Sequence, residues 1–352
     1  MTKIDPAAPV LVTGGSGYVA SWIVRYLLED GHTVRATVRD PAKPKGLEHL
    51  HRLADAHPGK LSLHQADLLD EGSFAEAMPG CELVIHTASP FLIGNIRNPQ
   101  RELVEPALEG TRNVLASVDA TDSVKRVVLT SSVVAVHGDN ADMRGADTFT
   151  EADWNTTSSV DHQPYPYSKT VAERAAWAIQ AAQKRWDLVT IHPGLVLGPA
   201  LTTASVSGSM TTMKHFTDLS MAAGAPALQM GVVDVRDVAR AHILAGFTPE
   251  ANGRYLTNAE TVSMLQMGKI LRRAFGRSLS FPTRELPKFM IRIGAPAAGL
   301  TRKFVDLNVG WPLAYDSSRT SAELGVEFRP AETTIAEHYQ QMIDDGLVRG
   351  PR

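Results

Sequence analysis

Short β-branched runs alternate with longer stretches of helical period through residues 1–199. Val10–Thr13, Thr33–Val38, Leu61–Gln65, Leu83–Thr87, Arg126–Thr130 and Leu188–His192 read as strands. Apolar positions recur three and four residues apart in Val19–Glu29, Lys45–Ala56, Ser73–Met78, Gln100–Val118 and Tyr165–Arg185, which read as helices. Gly31 stands where the residue after a helix C-cap belongs. Strand–helix alternation of this kind predicts an α/β fold, a parallel sheet covered on both faces and doubly wound by right-handed crossovers.

The pattern loosens after Gly198. Residues 200–210 are rich in Ser, Thr and Gly and read as a loop, and Thr211–Ala223 as a helix. Val232–Val235 and Arg254–Thr257 read as short strands around a helix at Arg236–Gly246. The tail is helical, broken by Pro282, Pro287, Pro296 and Pro312. The partition expected is a dinucleotide-binding domain over 1–199, with 232–258 returning to it. A smaller, mostly helical substrate-binding lobe is then built from 200–231 and 259–352. The longest irregular stretch, Asp139–Pro164, is polar and leads directly into the Tyr165 helix.

Composition narrows the function classes. The 352 residues are 43% hydrophobic and 21% charged with a net charge of -3, and basic residues are scattered, which gives no electrostatic case for nucleic acid or an anionic membrane. No apolar run is long enough for a membrane span, and the N-terminus lacks the apolar core of a signal peptide. The single cysteine, Cys81, permits no intrachain disulfide and reads as structural, so a reducing, cytoplasmic location is expected. Asn155-Thr156-Thr157 is formally a glycosylation sequon, unused in such a location. The histidines lack metal-ligand spacing, so no metal is expected.

Thr13-Gly14-Gly15-Ser16-Gly17-Tyr18-Val19-Ala20 joins the first strand to the first helix. Gly14 can make the tight turn, Gly17 can let backbone approach a pyrophosphate, and Ala20 can let the helix pack closely. The helix N-terminus supplies N–H groups and partial positive charge, as in a Rossmann dinucleotide site. The second strand ends in Arg39-Asp40, and an arginine there accommodates the 2′-phosphate of NADP. Lys43 or Lys45 can add a second charge, whereas Asp40 could bond a ribose hydroxyl instead. Asp67 and Leu68 follow the third strand, where adenine would lie, although Asp67 could equally cap a helix. Thr87, Ala88 and Ser89 follow the fourth strand, at the middle of a bound dinucleotide.

Tyr165 and Lys169 stand four residues apart, on one helix face. An ammonium beside a phenol favours the phenolate, which predicts a lowered Tyr165 pKa and proton transfer near neutral pH. Ser131 and Ser132 end the fifth strand and can aim a donor at a carbonyl oxygen, where charge develops as hydride arrives.

In order and spacing these landmarks, with Gly110–Leu115, His192–Pro199 and Val233–Ala239, resemble the extended short-chain dehydrogenases/reductases. The likeness is to the branch of dihydroflavonol reductases, cinnamoyl-CoA reductases and microbial NADPH-dependent aldehyde and ketone reductases. The resemblance implies that Ser132 hydrogen-bonds the substrate carbonyl, Tyr165 protonates it, Lys169 holds the nicotinamide ribose and lowers the Tyr165 pKa, and Asn113 assists a proton relay. It implies NADP contacts at Gly14, Gly17, Tyr18, Val19, Arg39, Lys45, Asp67, Leu68, Thr87, Ala88, Ser89, Tyr165 and Lys169, and at Pro193, Gly194, Leu195 and Val196. A homodimer through the Gln100–Val118 and Tyr165–Arg185 helices is one assembly it allows. Two departures bear on substrate. Cinnamoyl-CoA reductases end their signature in Asn-Trp-Tyr-Cys-Tyr-Gly-Lys, where this chain has Gln163-Pro164-Tyr165-Pro166-Tyr167-Ser168-Lys169. Dihydroflavonol reductases carry Asn where His137 stands. Both departures point to free aldehydes or ketones, with Phe91, His137, Tyr167, Met210, Met213 and Phe216 as expected pocket residues. The alternatives are an NAD-dependent sugar-nucleotide epimerase or dehydratase, a hydroxysteroid dehydrogenase, and a non-catalytic NADP-sensing regulator. Retention of Tyr165 and Lys169 weighs against the last.

Overall fold

In a computed structural model, which describes residues 1–89, 96–203, 208–277 and 280–348, seven parallel strands form the central sheet. In chain order the strands are β1 (Val10–Thr13), β2 (Val34–Val38), β3 (Leu61–Gln65), β4 (Leu83–His86), β5 (Arg126–Thr130), β6 (Asp187–Pro193), β7 (Leu195–Leu197), β8 (Gln229–Asp234), β9 (Gly253–Thr257) and β10 (Glu260–Ser263). The large sheet runs β3-β2-β1-β4-β5-β6-β9, and a second sheet runs β10-β8-β7. The helices are α1 (Tyr18–Glu29), α2 (Glu48–Ala56), α3 (Glu105–Asp119), α4 (Pro164–Ala181), α5 (Gly208–Lys214), α6 (Val235–Phe247), α7 (Met264–Phe275), α8 (Lys288–Gly294), α9 (Arg302–Asn308), α10 (Ser318–Leu324) and α11 (Ala331–Asp344).

Strand residues alternate between two cores, as a period of two requires. Val10, Val12, Leu83, Ile85 and Val128 pack under α1 and α6. Leu11, Val84, Val127 and Leu129 pack under α3 and α4 with Trp186. Because helices cover both faces, the central strands β1, β4 and β5 are buried at every position but Thr130 and apolar at most of them. At the end of α1 the N–H of Gly31 bonds Leu28 O and that of His32 bonds Leu27 O, which closes the helix with the left-handed glycine expected there.

The second lobe has its own core, where Met213, Phe216, Met221, Phe281 and Tyr339 pack among α7, α11 and the small sheet. Of the segment 232–258, α6 and β9 lie on the large sheet, whereas Val232–Asp234 belong to β8 in the small one. Two expected helices are corrected. Residues 73–78 form turns, because left-handed Gly72 and Pro79-Gly80 leave too few residues to nucleate a helix. Residues 211–223 contain only the end of α5 and a 3-10 turn at Leu219–Met221, which Asp218 starts by accepting from Ser220 N at 2.8 Å.

Candidate active site

The C-terminal ends of the central strands converge on one cleft, the place where open parallel sheets bind ligands. At the end of β1, Gly14 is left-handed, with φ of 65°. A Cβ on Gly15 would come within 2.7 Å of Ala36 Cβ, so this turn lies hard against β2. Gly17 precedes α1, whose first turn has neither a side-chain cap nor an acidic residue. Backbone N–H groups and the positive end of the helix therefore remain for an anion. Arg39 and Lys45 are exposed near this turn, and neither has an ion-pair partner among the described residues; Lys43 instead pairs with Asp40 at 3.4 Å. An unengaged guanidinium beside a glycine cradle fits a dinucleotide carrying an extra phosphate.

The adenine side is set by local hydrogen bonds. Asp67 Oδ1 accepts from Leu69 N at 2.9 Å, so Asp67 shapes a turn instead of capping a helix. Asn113 Nδ2 donates to Leu68 O at 2.8 Å. That bond ties Asn113 to the Asp67–Leu68 turn. Tyr18 and Val19 begin α1, and the Tyr18 hydroxyl donates to Gly198 O at 2.5 Å. At the middle of the cleft Thr13 ties β1 to the residues after β4: its Oγ1 accepts from Thr87 N and Ala88 N, and its O accepts from Thr87 Oγ1. On the far wall, Pro193–Val196 passes from β6 into β7. Gly194 is required there because a Cβ would lie 2.6 Å from Gly231 O.

The two serines after β5 have different duties. Ser131 is buried and donates to Glu173 Oε2 at 2.6 Å. Ser132 is partly exposed; its hydroxyl donates to Pro193 O and accepts from Val134 N, both at 3.4 Å. Contacts this long leave the hydroxyl able to turn to a stronger acceptor. Lys169 lies buried on α4, its Nζ donating to Ser89 Oγ at 3.1 Å. Lys169, Ser89, Ser131, Glu173 and His86 line a cavity of about 20 Å³, room for about one water molecule. Burial holds His86 near 3, hence neutral, with Nδ1 2.8 Å from Thr13 Oγ1.

Electrostatics correct one expectation. Burial pushes the Tyr165 phenol up to about 12, while the same desolvation brings Lys169 down to about 8 against an upward pull from Glu173. The low-dielectric setting outweighs charge proximity because each group loses solvation of its charged form. Tyr165 is therefore a neutral hydroxyl across the physiological range.

The expected pocket residues divide. His137 is buried, stacked on Phe149 at 4.6 Å and 2.5 Å through Nε2 from the Tyr315 hydroxyl; burial lowers its pKa to about 4. Tyr167 is partly exposed on the first turn of α4. Met213 and Phe216 are fully enclosed in the second lobe's core and serve packing instead of a pocket wall, whereas Met210 packs partly buried against that core. Phe91 lies outside the described residues. Cys81 is buried, its thiol pushed up to about 11, as suits a structural residue.

Sequence reasoning missed Glu173, Arg254, His192, Tyr315 and the Asp139–Asn308 junction. Glu173 carried a signal, since it continues the Tyr165–Lys169 spacing by four more residues on the same helix. The others come from strands and loops far along the chain and carried none. The loop 139–164 is anchored at Asn155, which is buried, donates to Val134 O at 2.7 Å and accepts from Thr157 N and Ser158 N.

A family model described as "NAD dependent epimerase/dehydratase family" matches residues 10–256. Cinnamoyl-CoA reductase CAD2 of Medicago truncatula is 38% identical over 336 residues, covering 95% of both chains. Tetraketide alpha-pyrone reductase 1 of Arabidopsis thaliana is 36% identical, covering 96% of both. Among solved structures, yeast methylglyoxal/isovaleraldehyde reductase Gre2 complexed with NADPH superposes with a TM-score of 0.76 at 26% identity, over 96% of this chain and 99% of that one.

Proposed function

The chain belongs to the NAD dependent epimerase/dehydratase family as an oxidoreductase, and from that premise we propose that it uses NADPH to reduce free aldehydes or ketones to alcohols. The observation that carries this reading is helix α4, which presents a protonated Tyr165 phenol and, one turn on, a buried Lys169 amine bonded to Ser89. NADPH, when bound, supplies the hydride.

The chain's own residues do the rest. The α1 N-terminus and its glycine turn hold the pyrophosphate. Arg39 grips the 2′-phosphate, with Lys45 adding charge. Asp67 and Leu68 border adenine, and Asn113 braces Leu68. Thr87, Ala88, Ser89 and Lys169 hold the nicotinamide half against the wall Pro193–Val196. Ser132 and Tyr165 donate hydrogen bonds to the carbonyl oxygen as negative charge grows there, and Tyr165 gives up its proton to the forming alcohol. A phenol held near 12 is protonated at neutral pH, the form needed to give a proton to the forming alcohol.

Gln163-Pro164 before Tyr165, and His137 held by Tyr315, support free carbonyl compounds over CoA thioesters or flavonoids. The unengaged Arg39 supports NADPH over the NAD of a sugar-nucleotide epimerase. The test is Tyr165→Phe against a panel of aldehydes, aryl ketones and ketoesters. Turnover is expected to fall about a hundredfold to ten-thousandfold while NADPH affinity changes little. Wild-type-like turnover in that variant would sink the mechanism.

A further inference from the structure

Behind Lys169 lies a charged network that the proposed reduction does not itself use. Glu173 sits one turn beyond Lys169 on α4 and is almost fully buried. Its Oε1 accepts from Arg254 Nε at 2.8 Å and Trp177 Nε1 at 3.1 Å, and lies 3.2 Å from His192 Nε2. Its Oε2 accepts from Ser131 Oγ at 2.6 Å. His192 Nδ1 in turn donates to Ser132 O at 3.2 Å. One carboxylate therefore braces the side chain of Ser131 and stands against His192, which bonds the backbone of Ser132, while sharing the small cavity with Lys169.

A buried ammonium needs compensation, because desolvation disfavours its charged form. The groups facing Lys169 can be enumerated. From α4 come Tyr165, neutral, and Glu173. From β4 and its end come His86, neutral, and Ser89. From β5 and α3 come Thr130, Ser131 and Thr111, none of them charged. Beyond Glu173 stand Arg254 on β9 and His192 on β6. Among these groups, Glu173 is the anion. We propose that Glu173 is a positioning residue of the reduction site, the buried counter-charge that keeps Lys169 an ammonium, with Arg254 setting how much of that charge Lys169 feels.

The inference rests on the reading of Lys169 given above, and its test separates the two. Lys169 is titrated directly in the ligand-free full-length protein by NMR on isotope-labelled lysine, its resonance assigned by its loss in Lys169→Arg. Glu173→Gln removes the anion and leaves the Arg254 guanidinium unmatched, so the Lys169 midpoint is expected to fall by about one pH unit or more from its position near 8. Arg254→Met leaves the carboxylate unmatched and is expected to move the midpoint up. Glu173→Asp keeps the charge and is expected to leave the midpoint close to wild type. An unmoved midpoint in Glu173→Gln, or a fall as large in Glu173→Asp, overturns the proposal. Should Glu173→Gln fail to fold, the upward shift in Arg254→Met carries the test, and its absence overturns the idea equally. The alkaline limb of NADPH-dependent ketone reduction is expected to follow the Lys169 midpoint across the variants. A midpoint that moves while the pH profile stays fixed refutes the role of Lys169 and not that of Glu173.

Discussion

Desolvation acts in opposite directions on Tyr165 and Lys169, because it disfavours whichever form of each is charged. The phenol goes up to about 12 and the amine down to about 8. The amine also links to stability. Its folded value lies below the ordinary lysine value of 10.5, so the buried ammonium costs stability at pH below about 8, and that cost fades as pH rises toward 10.5. At the other end of the cleft Arg39 is the exposed side chain that the proposed function assigns to the 2′-phosphate. Arg39 has no ion-pair partner among the described residues, so its removal leaves no buried charge unpaired. Arg39→Ser is expected to raise the KM for NADPH about tenfold to a hundredfold, the loss of a charge-assisted hydrogen bond of about 1.5–3 kcal/mol. The KM for NADH should stay within a few-fold. Steady-state kinetics with both cofactors checks this, and an equal change for the two would remove Arg39 from the 2′-phosphate site.

At the scale of elements, the start of α4 is held by a strained residue. Gln163 has φ of 60° and ψ of 58°, the left-handed region, and is alone among the described non-glycine residues in having positive φ. Its side chain explains why it stays there: Nε2 donates to Gly138 O at 2.7 Å and to Asp139 Oδ1 at 2.9 Å. Gln163→Ala keeps the strain and loses both bonds, so unfolding free energy is expected to drop by about 1–3 kcal/mol. Gln163→Gly loses the same bonds but relieves the backbone, and is expected to be more stable than the Ala variant by about 1 kcal/mol. Urea unfolding of the pair decides it; an Ala variant as stable as Gly would show that the strain is not real. The strain was invisible in the sequence, where Gln163 read only as a departure from a relative's motif. What the sequence did display were long-period features. The β1 and β5 boundaries were legible because runs rich in β-branched residues end at turn residues, the β3 boundary because Leu61 and Leu63 alternate with polar residues, and the glycine turn because its spacing has a mechanism. The strands β7 and β10 were not, since Leu195–Leu197 has three residues and Glu260–Ser263 is polar at all positions but Val262. Met213 and Phe216 misled because an apolar residue beside a cleft and one in a lobe core look alike in sequence.

Across the whole molecule, the junction between the large sheet and the second lobe includes a buried polar cluster around Asp139. Asp139 is fully enclosed, and its carboxylate accepts from Asn308 Nδ2 at 2.6 Å and Gln163 Nε2 at 2.9 Å and lies 2.7 Å from His162 Nε2. Asn308, on α9, also accepts from Asn140 N at 3.0 Å. Thus a helix of the second lobe grips the loop that precedes Tyr165, while the glycine turn and Arg39 lie at the other end of the cleft and take no part. The two halves of the site are therefore separable by mutation. Asn308→Ala strips a donor from an enclosed carboxylate and an acceptor from a buried backbone N–H, at a cost of about 1–3 kcal/mol for each group left unpaired. Since the loosened loop carries α4, ketone turnover is expected to fall about tenfold or more, as misplacement of a reacting group does. NADPH affinity, measured by fluorescence titration, should change less than about twofold, because the groups assigned to it are not attached to this junction. Asn308→Asp distinguishes packing from hydrogen bonding: it keeps the volume but sets a second carboxylate against Asp139, and like charges there are expected to make it the worse of the two. An Asp variant that outperforms Ala would mean that α9 holds the loop by shape alone.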